Sequence, residues 1–180
     1  MMARTGLLHT LLGLLAPPRR RTHTHRRLSA TQQPFWHTET EGNPGQYGPG
    51  ATRDLSADEV RALRPSYAPH PDGDPDPGEV IWTWVPYVEN DGRGKDRPVL
   101  IIARISQHAV AGCYLSTKQH DGYLSIGSGS WDSKGRESFL NPHRILWISD
   151  TGMRREGNVL PKSRFASVKH AIGHTQRLAW

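Results

Sequence analysis

Seven side chains in the second half of this 180-residue sequence are of types that can work together on a phosphodiester: Arg97, Ser116, Thr117, His120, Asn141, His143 and Arg144. Arginine offers a phosphate a planar fork of donors and keeps its charge at any working pH. A serine or threonine hydroxyl can orient a phosphate oxygen or a ribose 2′-hydroxyl. Histidine moves a proton near neutral pH. RNA carries its own nucleophile, so cutting it needs positioning and charge stabilisation rather than a metal. Each residue also has an ordinary reading. Arg97 can pair with Asp96 or Asp91, Ser116 and Thr117 can end a strand, and His143 can follow a turn at Asn141-Pro142.

Other chemistries are poorly served. There is no H-E-x-x-H pair and no G-x-S-x-G elbow, and Gly127-Ser128-Gly129 lacks the Lys-Ser/Thr of a phosphate-binding loop. Asp72, Asp74 and Asp76 alternate like calcium ligands but have no closing glutamate, which suits an acidic linker. His170 and His174 share a helix face without nearby acids. Cys113 is the only cysteine, so an intramolecular disulfide and a cysteine-based zinc cluster are excluded. It lies in an apolar run and reads as a small buried side chain. No cofactor and no metal is expected, and a reducing, cytoplasmic compartment fits.

The elements that must position these groups are short strands. Val80–Tyr87, Val99–Ile105 and Val110–Leu115 are rich in Val, Ile, Trp and Tyr and too short for typical helices. Asn90–Gly94 and Ser106–His108 break one run from the next. Leu124–Ile126 and Phe139–Ile148 add strands, and Pro161–Gln176 has helical spacing with Leu160, Phe165, Val168 and Ile172 near one face. The expected fold is mainly β, a small antiparallel barrel covered by a C-terminal helix. Arg97 stands at the entrance of one strand and Ser116-Thr117 at the exit of the next, so antiparallel pairing can bring them to one rim.

The expected folded domain is 77–180, preceded by a largely disordered extension over 1–76. Residues 1–37 carry six arginines and no acid, residues 38–77 three arginines against eight acids, and residues 78–180 fourteen Lys/Arg against nine acids. A basic domain behind an acidic segment suggests a polyanion partner and some masking by the linker. Leu7–Leu15 can form a short apolar helix ended by Pro17-Pro18, too short to span a bilayer and without a signal-cleavage site. Ser56, Asp58 and Glu59 can start one helix in the linker, with Val60 and Leu63 as its apolar stripe and Pro65 as its stop.

Gly78-Glu79-Val80-Ile81-Trp82, then Lys95-Asp96-Arg97-Pro98-Val99, then Leu115-Ser116-Thr117-Lys118, resembles the PemK/MazF toxin family of type II toxin-antitoxin systems. Asn141-Pro142-His143-Arg144-Ile145 falls where that family often has an acid or amide followed by a basic residue. The resemblance covers roughly 77 to 175, and the longer blocks further resemble an actinobacterial branch. It implies an SH3-like small barrel that forms homodimers and, in active members, a metal-independent endoribonuclease that cuts single-stranded RNA and is neutralised by a cognate antitoxin. Operator DNA is an implied partner of the toxin-antitoxin complex. The implied catalytic residues are Arg97, which stabilises a phosphorane-like transition state and can act as acid, and Ser116, with Thr117 as the register alternative. Lys95, Lys118, His120, Asn141, His143 and Arg144 are the implied RNA-binding residues. The sequence departs from the family in having Ser where it usually has Thr, and in Asn141, whose amide cannot act as a carboxylate base. The alternative is a barrel of the same ancestry that binds nucleic acid or protein without cutting.

Overall fold

A computed structural model describes residues 42–180. The leader helix expected at Leu7–Leu15 lies outside the described residues. The elements in chain order are β1 (Arg53–Asp54), α1 (Ala57–Ala62), β2 (Glu79–Pro86), β3 (Gly94–Ser106), β4 (Ala109–Ser116), β5 (Leu124–Gly127), β6 (Ser138–Leu140), β7 (Leu146–Ser149), β8 (Met153–Val159) and α2 (Lys162–Gln176). All pairings are antiparallel, in the order β1-β7-β4-β3-β2-β8, and β6 pairs with both β4 and β5.

The strands are apolar on both faces, and their side chains divide by the two-residue period into two cores. Along β3, Leu100 and Ile102 point into a layer with Val80, Cys113, Leu115, Leu140, Phe165, Val168 and Ile172, under α2. The residues between them, Val99 and Ile101, enter a second layer with Ile81, Val85, Val110, Leu146 and Ile148. Register shifts in β2, β3 and β5 bend the strands around these layers. The result is the expected small barrel with a C-terminal helix. Cys113 is fully buried, as its apolar neighbours predict.

The ladder does not close between its end strands β1 and β8. Residues 43–52 bridge part of the gap. Trp84 N–H donates to the Pro44 carbonyl at 3.1 Å. The Thr83 hydroxyl donates to the Gly152 carbonyl at 2.6 Å, so the Thr52 hydroxyl, 2.8 Å away, is left to donate to Thr83. Gly45 sits at this junction with φ +81°, and an added Cβ would lie 2.5 Å from Thr83 Oγ1 and 2.6 Å from the Gly152 carbonyl. Gly45→Ala should therefore cost at least ~2 kcal/mol, combining left-handed strain with a backbone clash. Gly48, with φ +77° and open space around it, is the control. Gly48→Ala carries the strain alone, and urea unfolding midpoints will separate the two.

The expected boundary at residue 77 falls inside the packed unit, because residues 42–76 are built into it. The Ser56 helix forms as read, with a reciprocal capping box to Glu59. Its stripe, Val60 and Leu63, is buried in the same layer as α2. Tyr67 packs on Phe165 and donates to the Leu160 carbonyl at 3.0 Å. Asp76 is no tether residue: it accepts from His70 N–H at 3.0 Å and pairs with Arg104. The low apolar content of this stretch conceals its packing, because a few well-placed side chains dock it together with backbone bonds from Ser66 to Ile102, from Leu55 to Ile145 and from Trp84 to Pro44.

Two further strand readings change. The expected Phe139–Ile148 strand is two strands, since Pro142 has no N–H for a ladder. β8, with the sequence MRREGNV, escapes an apolar search because it is an end strand held by cross-strand charge, Arg154 to Asp96 and Arg155 to the buried Glu79. Among the described residues no helix is long and apolar enough to cross a membrane.

Candidate active site

β4 runs beside β3 only as far as the pair Val99–Tyr114. Beyond it β4 turns to β6, pairing Leu115 with Leu140 and Ser116 with Phe139. The two strands splay at that point, and a cleft of about 460 Å³ opens between them. Arg97 and Pro98 form one wall, Leu115, Ser116 and Thr117 the other. Continuing the β3–β4 register by two residues sets Arg97 level with Ser116, so the rim expected from the strand order exists. Lys95, Lys118 and His120 line the same cleft.

The ordinary reading of Arg97 does not hold. Asp96 pairs with Arg154 at 2.5 Å and Asp91 with Arg93 at 2.7 Å. Among the described residues no carboxylate lies within ion-pair distance of Arg97, Lys95 or Lys118, whereas the cleft's Asp132 is paired with Arg136 at 2.6 Å. The cleft is thus a site of uncompensated positive charge. Ser116 Oγ accepts the Lys118 N–H at 3.0 Å, closing a local turn. That bond uses a lone pair and leaves the hydroxyl proton for a ligand oxygen.

The other three expected RNA contacts do not line this cleft. Asn141 is buried, and its amide donates to the Tyr114 hydroxyl at 2.8 Å while its carbonyl oxygen accepts the His143 N–H at 2.9 Å. Such an amide orients its neighbours. His143 is exposed beside Gly122, behind the turn that follows His120. Arg144 is bidentate to Asp54 at 2.8 Å and donates to the Pro86 carbonyl at 3.0 Å. Burial opposes its charge, the hydrogen bonds and charge of Asp54 outweigh that, and its pKa is raised. Arg144 therefore staples β1 to the end of β2. It meets Arg97 only across a second, shallower cavity of about 250 Å³ that also includes Tyr87 and Tyr114.

Sequence reasoning missed Trp82, Trp131, Asp132 and Arg136, which also line the cleft. Trp82 was visible only as a strand residue. Trp131, whose indole N–H donates to Ser138 Oγ at 3.0 Å, lies in the loop between β5 and β6. That loop is held by Arg136, which pulls the Asp132 carboxyl down to about 2. A carboxyl lowered on folding stabilises above its ordinary value near 3.8 and stops doing so as pH falls toward about 2. Trp131 fluorescence should therefore change across that acid window in the wild type, and Asp132→Asn should remove this transition. Tyr114 and Tyr123 were also missed. Their hydroxyls lie 2.6 Å apart, and burial, then the bond to Tyr114, pushes the Tyr123 phenol up to about 12. Among the described residues no three His, Cys, Asp or Glu side chains converge as a metal site.

Residues 76–175 match the family model of the PemK-like, MazF-like toxins of type II toxin-antitoxin systems. The match spans more than half of the chain, and the chain belongs to that family. No curated protein matches it. Among solved structures it is similar to a mycobacterial endoribonuclease in complex with its cognate antitoxin, at 15% identity, covering 59% of this chain and 99% of that one, with a TM-score of 0.46. It is also similar to MazF from Deinococcus radiodurans, at 14% identity, covering 59% and 100%, TM-score 0.46. The toxin MazF-mt6 of Mycobacterium tuberculosis gives 17% identity, covering 57% and 99%, TM-score 0.43.

Proposed function

We propose that this protein is a toxin endoribonuclease that cuts single-stranded RNA without a metal and is neutralised by a cognate antitoxin. It acts as a homodimer in the cytoplasm, and operator DNA is a partner of the toxin-antitoxin complex. The observation that carries the cleavage reading is that Arg97, without a carboxylate partner among the described residues, lines a cationic cleft together with Ser116. In this reading the scissile phosphate enters between them. Arg97 forks onto the two non-bridging oxygens, and the Ser116 hydroxyl donates on the ribose side. The substrate's 2′-oxygen attacks phosphorus in line as the bond to the 5′-oxygen breaks. His120, the imidazole lining the cleft, accepts the 2′-proton, and solvent water protonates the departing 5′-oxygen. Lys95 and Lys118 hold the flanking backbone, which makes binding salt-dependent.

The test uses the full chain, free of antitoxin, on single-stranded RNA in EDTA and in magnesium. Cleavage in both, with 2′,3′-cyclic phosphate and 5′-hydroxyl ends, is expected. Intact RNA in both buffers, with salt-sensitive binding, would leave a barrel that binds without cutting.

A further inference from the structure

An arginine that must meet a phosphate has two conflicting needs. Its long side chain has to be held still, because fixing its rotamers at the moment of binding is costly. Yet the usual holder, a carboxylate, consumes N–H donors and neutralises the charge. The structure resolves this at Arg97 with an aromatic face. The Arg97 guanidinium carbon lies 5.1 Å from the centroid of the Tyr114 ring, within cation–π range. The five N–H bonds of a guanidinium lie in its own plane, so a contact with the face of a ring need not consume a donor.

Tyr114 is itself held from two sides. The buried Asn141 amide donates to its hydroxyl at 2.8 Å, and the Tyr123 hydroxyl is 2.6 Å away. Asn141 N–H also bonds the Tyr114 carbonyl at 3.1 Å, so one residue fixes both the backbone and the phenol. Tyr123 packs edge-on against Tyr114, with centroids 6.2 Å apart, and its other contact is His120, with centroids at 4.8 Å. A single rigid cluster thus reaches the two cleft residues assigned to charge and proton. The register explains the contact: Tyr114 is opposite Val99, which puts Arg97 on its diagonal on the same face.

We infer that Tyr114 is a positioning residue whose ring, locked by Asn141 and Tyr123, sets the plane of Arg97 and leaves its donor edge open to a phosphate. The effect on cleavage rests on the proposed nuclease function; the effect on Arg97 itself does not. Two readouts on the full chain separate them. The first is the Arg97 Nε–Hε resonance, assigned by its loss in Arg97→Lys. In the wild type and in Tyr114→Phe, which keeps the face, it should be ring-current shifted and slow to exchange. In Tyr114→Leu it should move to the position of solvent-exposed arginines. The second is single-turnover RNA cleavage. Tyr114→Leu should lose about tenfold, Tyr114→Phe less than about threefold, with binding of a 2′-deoxy-substituted RNA altered far less than the rate. In an Arg97→Lys background Tyr114→Leu should cost nothing more. If Tyr114→Leu does not fold, Tyr114→Met supplies similar bulk without a π face. An Arg97 resonance unmoved by loss of the ring overturns the inference, as does an equal rate loss in both backgrounds. A shifted resonance in a protein that cuts no RNA upholds the platform and rejects the nuclease.

Discussion

Replacing Arg97 with alanine should slow RNA cleavage by about 10²–10³ and leave the fold intact. Arg97 is half-buried three residues into β3, opposite Thr83, and belongs to neither apolar layer. Its removal leaves no buried acid unpaired, because Asp96 and Asp91 are already held by Arg154 and Arg93. The loss is therefore catalytic. Removing one preorganised donor aimed at developing charge typically costs about 10²–10³ in rate. Here the donor is also the central charge of the cleft, so the upper end applies. Arg97→Lys should recover little, since an ammonium replaces a planar fork and loses the aromatic platform geometry. Ser116→Ala should cost less, because it removes one neutral donor, and Ser116→Thr should be tolerated at a half-buried strand terminus that opens on the cleft. Rates measured at saturating RNA, with circular dichroism on each variant, decide this. An Arg97→Ala protein that cuts at more than about a tenth of the wild-type rate would remove Arg97 from the mechanism.

Much of this site was legible in the sequence because strands are short and their ends are marked. Ser116 after Tyr114-Leu115 could be placed at a strand end from composition alone, whereas Arg97 lies inside β3, which starts at Gly94 because the polar residues 94–97 still pair with β2. What could not be read are the contacts that depend on which strand pairs with which. Asn141, His143 and Arg144 lie close in sequence to one another, yet only the shift of β4 from β3 to β6 decides that Asn141 faces Tyr114. Whether Arg97 was paired was equally hidden: the acids adjacent in sequence were visible, but Arg154, which occupies Asp96, comes from β8, a strand without an apolar signature. The aromatic platform has no sequence signal at all, since a tyrosine in an apolar strand reads as core.

A chain shortened to start at Pro77, the boundary that composition suggests, should be much less stable than one starting at Gly42. The shortened chain loses Val60 and Leu63 from the layer beneath α2, and Tyr67 from Phe165. Burial of each such side chain contributes about 1.5–3 kcal/mol. Ordering residues 42–76 costs conformational entropy, so their net contribution is smaller than the sum of contacts. The shortened chain, however, does not simply return to neutral. Thr83 loses the Thr52 hydroxyl that bonds it in the interior, and Trp84 N–H loses the Pro44 carbonyl. Arg144, largely buried, loses Asp54 and keeps only the Pro86 carbonyl, and a charge stripped of its partner is costly. Against a typical net stability of about 5–15 kcal/mol, several kcal/mol of such losses bring the domain close to unfolding. A single substitution gives the same answer without a new terminus. Leu63→Ala should cost about 2–4 kcal/mol as a core truncation, where a residue in a solvated linker would cost almost nothing. Equal thermal midpoints for the two chains, together with a silent Leu63→Ala, would return residues 42–76 to the role of a linker; a lowered midpoint in both makes them part of the barrel that sets Arg144, β2 and the wall of the cleft.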